Sequence, residues 1–224
     1  MYRKALKQLS VWKDREGRKP LIIRGARQVG KTWLMREFGR ASYKNCVYIN
    51  CDNNPRMTEL FSTNLDTKRL LMGMELYSGE RIVPGETLLI FDEVQEIPRA
   101  LTSLKYFDED APQYHIVAAG SLLGIALHPG TSFPVGKVEF LDLYPLSFSE
   151  FMMALGNERF MEIIEAGDWS MVKSFAHIFT EALKLYYFTG GMPAAALHFC
   201  EHKDFNAVRE IQANILAAYE QDFS

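Results

Sequence analysis

Apolar residues follow two different patterns along this chain. Up to about residue 147, short runs that are apolar at nearly every position alternate with stretches of helical periodicity. A short, continuous apolar run is typical of a parallel strand that is covered on both faces of its sheet. Strands are predicted at residues 20–23, 46–49, 87–91, 114–119 and 138–143, and the run at 87–91 has this continuous pattern. Strands that alternate with helices predict a doubly wound α/β sheet, which binds its ligand at the carboxyl ends of the strands.

Helices are predicted wherever apolar residues recur every three or four positions. Before the last strand they are expected over residues 2–14, over 32–38 with Gly39 as the stop, and over most of 57–77. Beyond it the strand pattern disappears, and helices are predicted over 149–155, 158–166, 169–187, 193–202 and 205–223. We therefore predict an α/β core over residues 1–147 and a small all-helical domain over residues 148–224.

A phosphate-binding motif follows the first strand. Residues 25–32 match G-x-x-x-x-G-K-[ST], with the sequence Gly25-Ala26-Arg27-Gln28-Val29-Gly30-Lys31-Thr32. Glycines let such a loop bend so that successive N–H groups meet phosphate oxygens, and the following helix adds the positive end of its dipole. Lys31 is predicted to reach the β- and γ-phosphates, and the Thr32 hydroxyl to bind Mg²⁺. We expect these eight residues and Trp33 to contact the nucleotide; the alternative is a glycine-rich turn with a surface lysine.

A second motif ends the third strand. Four apolar residues, Leu88 to Phe91, are followed by the carboxylates of Asp92 and Glu93. An aspartate at such a strand tip holds Mg²⁺, directly or through water. The next carboxylate is placed to orient and polarise the attacking water, which favours a hydrolase over a simple nucleotide binder. The alternative is a strand that ends in a solvated acidic turn.

Other polar residues are weaker candidates. Ser121 ends the fourth strand, where its hydroxyl either touches the γ-phosphate or the attacking water or caps the turn. Within the loop, the side chains of Arg27 and Gln28 either help to bind phosphate or face solvent. Phosphoryl transfer commonly uses one more cation, for which Arg99 and Lys137 are candidates and plain surface cations the alternative.

Composition limits the remaining possibilities. The chain has 224 residues, of which 48% are hydrophobic and 24% charged, as in ordinary globular proteins. A net charge of -3 gives no global argument for nucleic-acid binding, and no apolar run suggests a membrane span or a signal peptide. Three cysteines without metal or redox spacing indicate a reducing cytoplasm. His198, Cys200 and His202 lack a further ligand pair, so an exposed helix face is favoured over a metal site.

The motifs together identify a family resemblance. The chain resembles the AAA+-like P-loop ATPases of bacteria and archaea that carry a C-terminal domain of unknown function. Besides the two motifs above, the matching segments are Gly120-Ser121-Leu122-Leu123-Gly124, Leu143-Tyr144-Pro145-Leu146-Ser147-Phe148-Ser149-Glu150-Phe151 and Thr189-Gly190-Gly191-Met192-Pro193. The last two segments are more particular to this family than the nucleotide motifs are.

The resemblance implies a parallel five-stranded P-loop NTPase sheet of order 5-1-4-3-2, followed by a small all-helical lid domain. It implies ATP and Mg²⁺ as ligands and places Ser121 at the position called sensor 1. Many relatives have arginine where this chain has Lys137, and lysine cannot form a bidentate clamp on phosphate. Such proteins usually continue into a restriction-endonuclease-like region, and the end at Ser224 looks like a cut, with a natural helical terminus as the alternative.

The expected function is Mg²⁺-dependent ATP hydrolysis, with Lys31, Glu93 and Ser121 as catalytic residues. ATP would order the lid against the core, and hydrolysis would release it and drive an attached domain or partner. The alternatives are a nucleotide-sensing scaffold with negligible turnover, a P-loop kinase, and the ATPase part of a DNA-processing protein. The adjacent Asp92 and Glu93 argue against a kinase. DNA is a possible partner only by analogy with the family. If a second copy of the chain supplied an arginine finger to the site, the protein would have to form a homo-oligomer.

Overall fold

The computed structural model describes residues 2–120 and 134–222 of the chain. Contacts between Cα atoms divide the chain into two compact units. One unit is Ala5–Leu143, and the other joins Met1–Lys4 to Tyr144–Ser224.

The first unit contains a five-stranded sheet. The predicted order 5-1-4-3-2 is confirmed, and all four strand pairs are parallel. Because the strands are parallel, their carboxyl ends lie along one edge, where the loop after the first strand meets the end of the third. The strands are β1 (Leu21–Arg24), β2 (Asn45–Asn50), β3 (Thr87–Asp92), β4 (His115–Gly120) and β5 (Glu139–Asp142).

Helices cover this sheet. They are α1 (Ala5–Asp14), α2 (Lys31–Ser42), α3 (Pro55–Thr63), α4 (Thr67–Ser78) and α5 (Pro98–Asp110), with a one-turn 3₁₀ helix at Val94–Glu96. Every residue of β3 and β4 is buried, as the continuous apolar pattern predicts. The helical stretch over 57–77 is two helices, because Asn54 caps α3 at the Met57 N–H and Asp66 caps a new helix at the Arg69 N–H.

Gly39 does not end α2, contrary to the prediction from the sequence. The helix continues to Ser42, and Gly39 is buried in its interior. A Cβ atom at this position would collide with the Sγ atom of Cys46 on β2. The glycine therefore permits a close approach of helix and strand and is not a stop signal.

The second unit contains only helices in its described part. They are α6 (Phe148–Ala154), α7 (Glu158–Glu165), α8 (Trp169–Ser174), α9 (Ala176–Thr189), α10 (Pro193–His202) and α11 (Phe205–Asp222). The stretch predicted as one helix over 169–187 is interrupted at Phe175, where α8 ends and α9 begins. No helix in the described ranges has the length and apolarity needed to cross a membrane.

Two of the segments that carry the family resemblance meet inside this unit. The Leu146 N–H donates to the Gly191 carbonyl at 2.6 Å, and the Tyr186 hydroxyl donates to the Leu146 carbonyl at 2.6 Å. Any Cβ on Gly191 would collide with the same Leu146 oxygen. The first residues of the chain join here, because the Arg3 Nε atom lies 3.2 Å from the Glu150 carboxylate and both side chains are buried.

Candidate functional site

The loop between β1 and α2 has the backbone of an anion-binding turn. Gln28 and Gly30 both adopt left-handed conformations, with φ angles of 63° and 93°. Gly30 is the N-cap of α2 and brings no side chain to cap its first N–H groups. Turns that contain left-handed residues form concave nests of N–H groups, and a helix amino terminus attracts negative charge. The loop can therefore receive phosphate through its main chain.

At Gly25, the start of this loop packs closely against the segment that follows β5. Its Cα atom lies so close to the Leu143 carbonyl oxygen that a Cβ atom would collide with it. The Leu143 N–H in turn donates to the Arg24 carbonyl at 2.7 Å. The obstacle is backbone and cannot rotate away, so glycine is required at this position.

Lys31 is held at the loop by the loop's own carbonyls. Its side chain is buried, and Nζ donates to the carbonyl oxygens of Gly25 and Ala26, each at 2.9 Å. Burial lowers the pKa of Lys31, and the carboxylates of Glu93 and Asp92 offset part of that shift. The Lys31 ammonium is thus a buried hydrogen-bond donor that two neutral main-chain oxygens accept from.

The two predicted motifs meet through a hydrogen bond. Thr32 Oγ1 at the start of α2 donates to Asp92 Oδ2 at the end of β3 at 2.6 Å. The Asp92 side chain is buried, and its other oxygen accepts the Glu93 N–H at 3.1 Å. A hydroxyl beside a carboxylate is a hard-oxygen pair of the kind that Mg²⁺ prefers, together with substrate phosphates. Thr32 and Asp92 therefore fit the predicted metal site.

The backbone turns away from the extended β3 conformation at Glu93, immediately after Asp92. Its φ angle of 48° is left-handed, which is rare for a residue other than glycine and occurs often at functional sites. Gln95 Nε2 donates to Glu93 Oε2 at 2.7 Å, so one carboxylate oxygen is held in place. The side chain is half-buried. This arrangement gives an oriented carboxylate beside the phosphate loop and the metal pair.

A family model described as an AAA domain matches residues 17–152, which is more than half of the chain. The chain belongs to this AAA domain family. The match covers the phosphate loop, the β3 carboxylates and β5. No curated protein matches the chain.

Three solved structures are similar to this AAA domain protein. The chain spans about half the length of these relatives, between 45% and 61% of each. The RuvB Holliday junction branch migration motor of Thermotoga maritima has 16% identity and a TM-score of 0.49 over 90% of this chain and 61% of its own. PCH-2 of C. elegans has 15% identity and a TM-score of 0.39 over 73% and 45%. The ORC1 protein of Aeropyrum pernix, in complex with DNA, has 14% identity and a TM-score of 0.42 over 66% and 45%.

The other side chains in and next to the phosphate loop of this AAA domain differ in their exposure to solvent. Ala26, Arg27 and Gln28 are exposed, and Trp33 is 41% exposed. Val29 is fully buried. Ser121 lies outside the described residues.

The two further candidate cations have other contacts. Lys137 precedes β5, and Glu139 at the start of β5 pairs with Leu21 at the start of β1. Lys137 therefore lies at the edge of the sheet where the amino ends of these strands meet. The phosphate loop follows the carboxyl end of β1, at the opposite edge. Lys137 lies 3.5 Å from Asp108 and 3.0 Å from Glu109. Arg99 Nε donates to the Phe61 carbonyl near the end of α3 at 2.7 Å. None of these three contacts involves a residue of the loop.

The helix face with His198 and His202 shows no metal arrangement. Their rings stack with centroids 4.4 Å apart, and no group of three or more metal-ligating side chains occurs within residues 2–120 and 134–222.

Tyr48 is a site residue that the sequence analysis missed. Its hydroxyl donates to Asp92 Oδ2 at 2.9 Å, so the same oxygen accepts from Thr32 and from Tyr48. The Arg36 guanidinium lies over its ring at 3.8 Å from the centroid. Burial, followed by the hydrogen bond to Asp92, raises the pKa of Tyr48, so the hydroxyl stays protonated and donates. The available signal was a hydroxyl near the end of an otherwise apolar strand.

Proposed function

We propose that this AAA domain binds ATP with Mg²⁺ and hydrolyses it. The observation that carries the proposal is the 2.6 Å hydrogen bond between Thr32 and Asp92, which joins two motifs 60 positions apart in the sequence. This contact supports a single site made of the phosphate loop, a hard-oxygen pair and the Glu93 carboxylate. Each is a component that phosphoryl transfer to water requires.

Binding is assigned to the loop and to Lys31. The main-chain N–H groups of residues 25–32 and the amino terminus of α2 receive the phosphates, and Lys31 exchanges its two carbonyl acceptors for phosphate oxygens. The exposed side chains of Arg27, Gln28 and Trp33 add contacts to the nucleotide. Thr32 and Asp92 hold Mg²⁺, which when bound neutralises charge on the phosphates.

Hydrolysis is assigned to Glu93. Its carboxylate orients a water molecule and accepts a proton as the water oxygen attacks the γ-phosphorus, and the bond to the ADP oxygen breaks. Gln95 keeps the carboxylate in position through the 2.7 Å hydrogen bond. Ser121 is proposed to contact the γ-phosphate as the sensor residue.

At the scale of the chain, we propose an ATPase core over residues 1–147 and a helical lid over residues 148–224. ATP would order the lid, and hydrolysis would release it to drive an attached domain or partner in the cytoplasm. A homo-oligomer that supplies a cation in trans fits this scheme. DNA remains a partner by family analogy alone, since a net charge of -3 gives it no electrostatic support.

The test is ATP turnover in Glu93→Gln and Lys31→Ala. We expect Glu93→Gln to lower Mg²⁺-dependent turnover at least about 100-fold and to leave the affinity for a fluorescent ATP analogue within threefold, because only the general base is lost. Lys31→Ala should weaken binding itself. Glu96→Gln changes an exposed carboxylate at the end of the 3₁₀ helix that follows Glu93; it is the matched control and should retain full turnover.

The outcomes separate the alternatives. Tight binding with wild-type turnover no faster than that of Glu93→Gln would instead identify a nucleotide-sensing scaffold. Turnover that yields a phosphorylated product in place of free phosphate would identify a kinase. A failure of the wild-type protein to bind the analogue would contradict the proposal altogether.

A further inference from the structure

We propose that Tyr48 is a positioning residue of the magnesium site, which acts by fixing the orientation of Asp92. The inference rests on the proposed function and adds to it a residue from β2, outside both nucleotide motifs. It starts from one oxygen atom, Asp92 Oδ2, which accepts from Tyr48 at 2.9 Å and from Thr32 at 2.6 Å.

The orientation of Asp92 must be set by protein donors. Only 3% of the residue is exposed, so solvent contributes little to fixing its carboxylate. Oδ1 accepts the Glu93 N–H at 3.1 Å, and Oδ2 accepts the two hydroxyls. Hydrogen bonds to an ionised acceptor are stronger than neutral ones, so each donor has a clear effect on the position of the carboxylate.

The orientation of Asp92 then determines how Thr32 faces the metal. A threonine hydroxyl has a single proton, and here it is directed at Asp92 Oδ2. With that proton engaged, the oxygen lone pairs are left for Mg²⁺. Groups that orient metal ligands from behind in this way typically change metal affinity about 10- to 100-fold when they are removed. Tyr48 is such a group, because it holds the carboxylate that directs the Thr32 proton.

Tyr48 also contacts the helix that carries Thr32. Arg36 lies four residues beyond Thr32 on α2, and its guanidinium lies over the Tyr48 ring at 3.8 Å. The Tyr48 ring thus contacts α2, and its hydroxyl contacts the end of β3 and interacts with Arg36 as well. Phenylalanine would keep the ring and remove the hydroxyl, so this variant tests what the hydroxyl contributes.

The experiment compares Tyr48→Phe with Tyr43→Phe. The control also loses a tyrosine hydroxyl, one that bonds to His115 Nδ1 at 2.7 Å. Each protein is saturated with a non-hydrolysable fluorescent ATP analogue and titrated with Mg²⁺, and then with Mn²⁺ followed by electron paramagnetic resonance. We expect the metal concentration at half-saturation to rise about tenfold in Tyr48→Phe and to stay within twofold in Tyr43→Phe. Analogue affinity in EDTA should be equal in all three proteins.

Several results would overturn the inference. One is a Tyr48→Phe protein whose metal concentration at half-saturation is unchanged, and another is an equal rise of that concentration in both variants. Weaker binding of the analogue by Tyr48→Phe in EDTA would also overturn it. A Tyr48→Phe protein that does not fold would make the hydroxyl a structural group. If the wild-type protein hydrolyses ATP and Tyr48→Phe binds metal normally, only this inference fails. If the wild-type protein binds no analogue, the proposed function fails with it.

Discussion

Single backbone atoms set the shape of the phosphate loop. Gly25 passes against the Leu143 carbonyl oxygen, and the Leu143 N–H holds the Arg24 carbonyl, so the loop begins from a fixed point. The left-handed Gln28 and Gly30 then turn the chain into α2. At the end of β3, Glu93 is left-handed as well, at a cost of about 1–3 kcal/mol for such a residue. Among the described residues other than glycine, four have a positive φ angle, and two of them, Gln28 and Glu93, lie where the proposed chemistry takes place.

Gly25→Ala is expected to weaken binding of a fluorescent ATP analogue at least about tenfold. The added methyl group collides with backbone, so the loop itself must move. Gly17→Ala is the matched control, since Gly17 also has a positive φ angle, +68°, but has open space where the Cβ would lie. It should bind the analogue normally and lose only about 1 kcal/mol of stability. Equal binding in both variants would show that the Leu143 contact is unimportant.

At the scale of elements, close packing of α2 on β2 explains the glycine that the sequence analysis took for a helix end. Intrinsic propensity favours alanine over glycine in a helix by roughly 1 kcal/mol. At Gly39 the tertiary contact with Cys46 overrides this preference. The same helix carries Lys31 and Thr32 in its first turn, so its distance from the sheet affects the site.

Gly39→Ala is therefore expected to destabilise the protein by about 1–3 kcal/mol, in spite of its higher helix propensity. Urea unfolding at pH 7 measures the change. Combining it with Cys46→Ala, which removes the obstructing sulfur, should recover part of the loss and give a favourable coupling in a double-mutant cycle. A stabilised Gly39→Ala protein would show that the helix shifts freely and that the contact imposes no constraint.

At the scale of the whole molecule, the free energy of unfolding depends on buried groups away from the site, such as a histidine in the sheet. His115 at the start of β4 is buried, and its Nδ1 atom is 2.7 Å from the Tyr43 hydroxyl. Burial, helped by the positive charges of Arg18 and Lys13, lowers the pKa of His115 from 6.5 to about 4. The folded protein thus keeps this imidazole neutral where an unfolded chain would take up a proton.

The free energy of unfolding should therefore fall as pH decreases from about 6.5 to about 4, with a slope from this residue of at most about 1.4 kcal/mol per pH unit. Well above pH 6.5 the residue is neutral in both states and contributes no slope. Urea unfolding of the wild-type protein and of His115→Gln, at several pH values between 4 and 8, isolates the contribution as the difference between their profiles. Parallel profiles would contradict the assignment.

Much of the fold could be predicted because it follows from patterns within short segments. The five strands were predicted correctly from runs of neighbouring residues, whereas their order came from the family resemblance. The segment with the phosphate-binding motif lies between β1 and α2, as the motif requires. The resemblance added the family, which the match over residues 17–152 shows. The helix breaks near Asp66 and Phe175 were not predicted, because a cap or a short turn leaves the apolar periodicity nearly unchanged.

The sequence by itself determined the ligand class that the motifs indicate, the α/β core and the helical character of the residues after β5. Only the tertiary structure decided that Tyr48 touches Asp92, 44 positions away, that Leu143 lies against Gly25, and that Lys137 lies at the opposite edge of the sheet from the loop. The physical reason is the range of the interactions. Periodicity and motif spacing are set by covalent neighbours, whereas these contacts depend on which strands and helices the fold brings together.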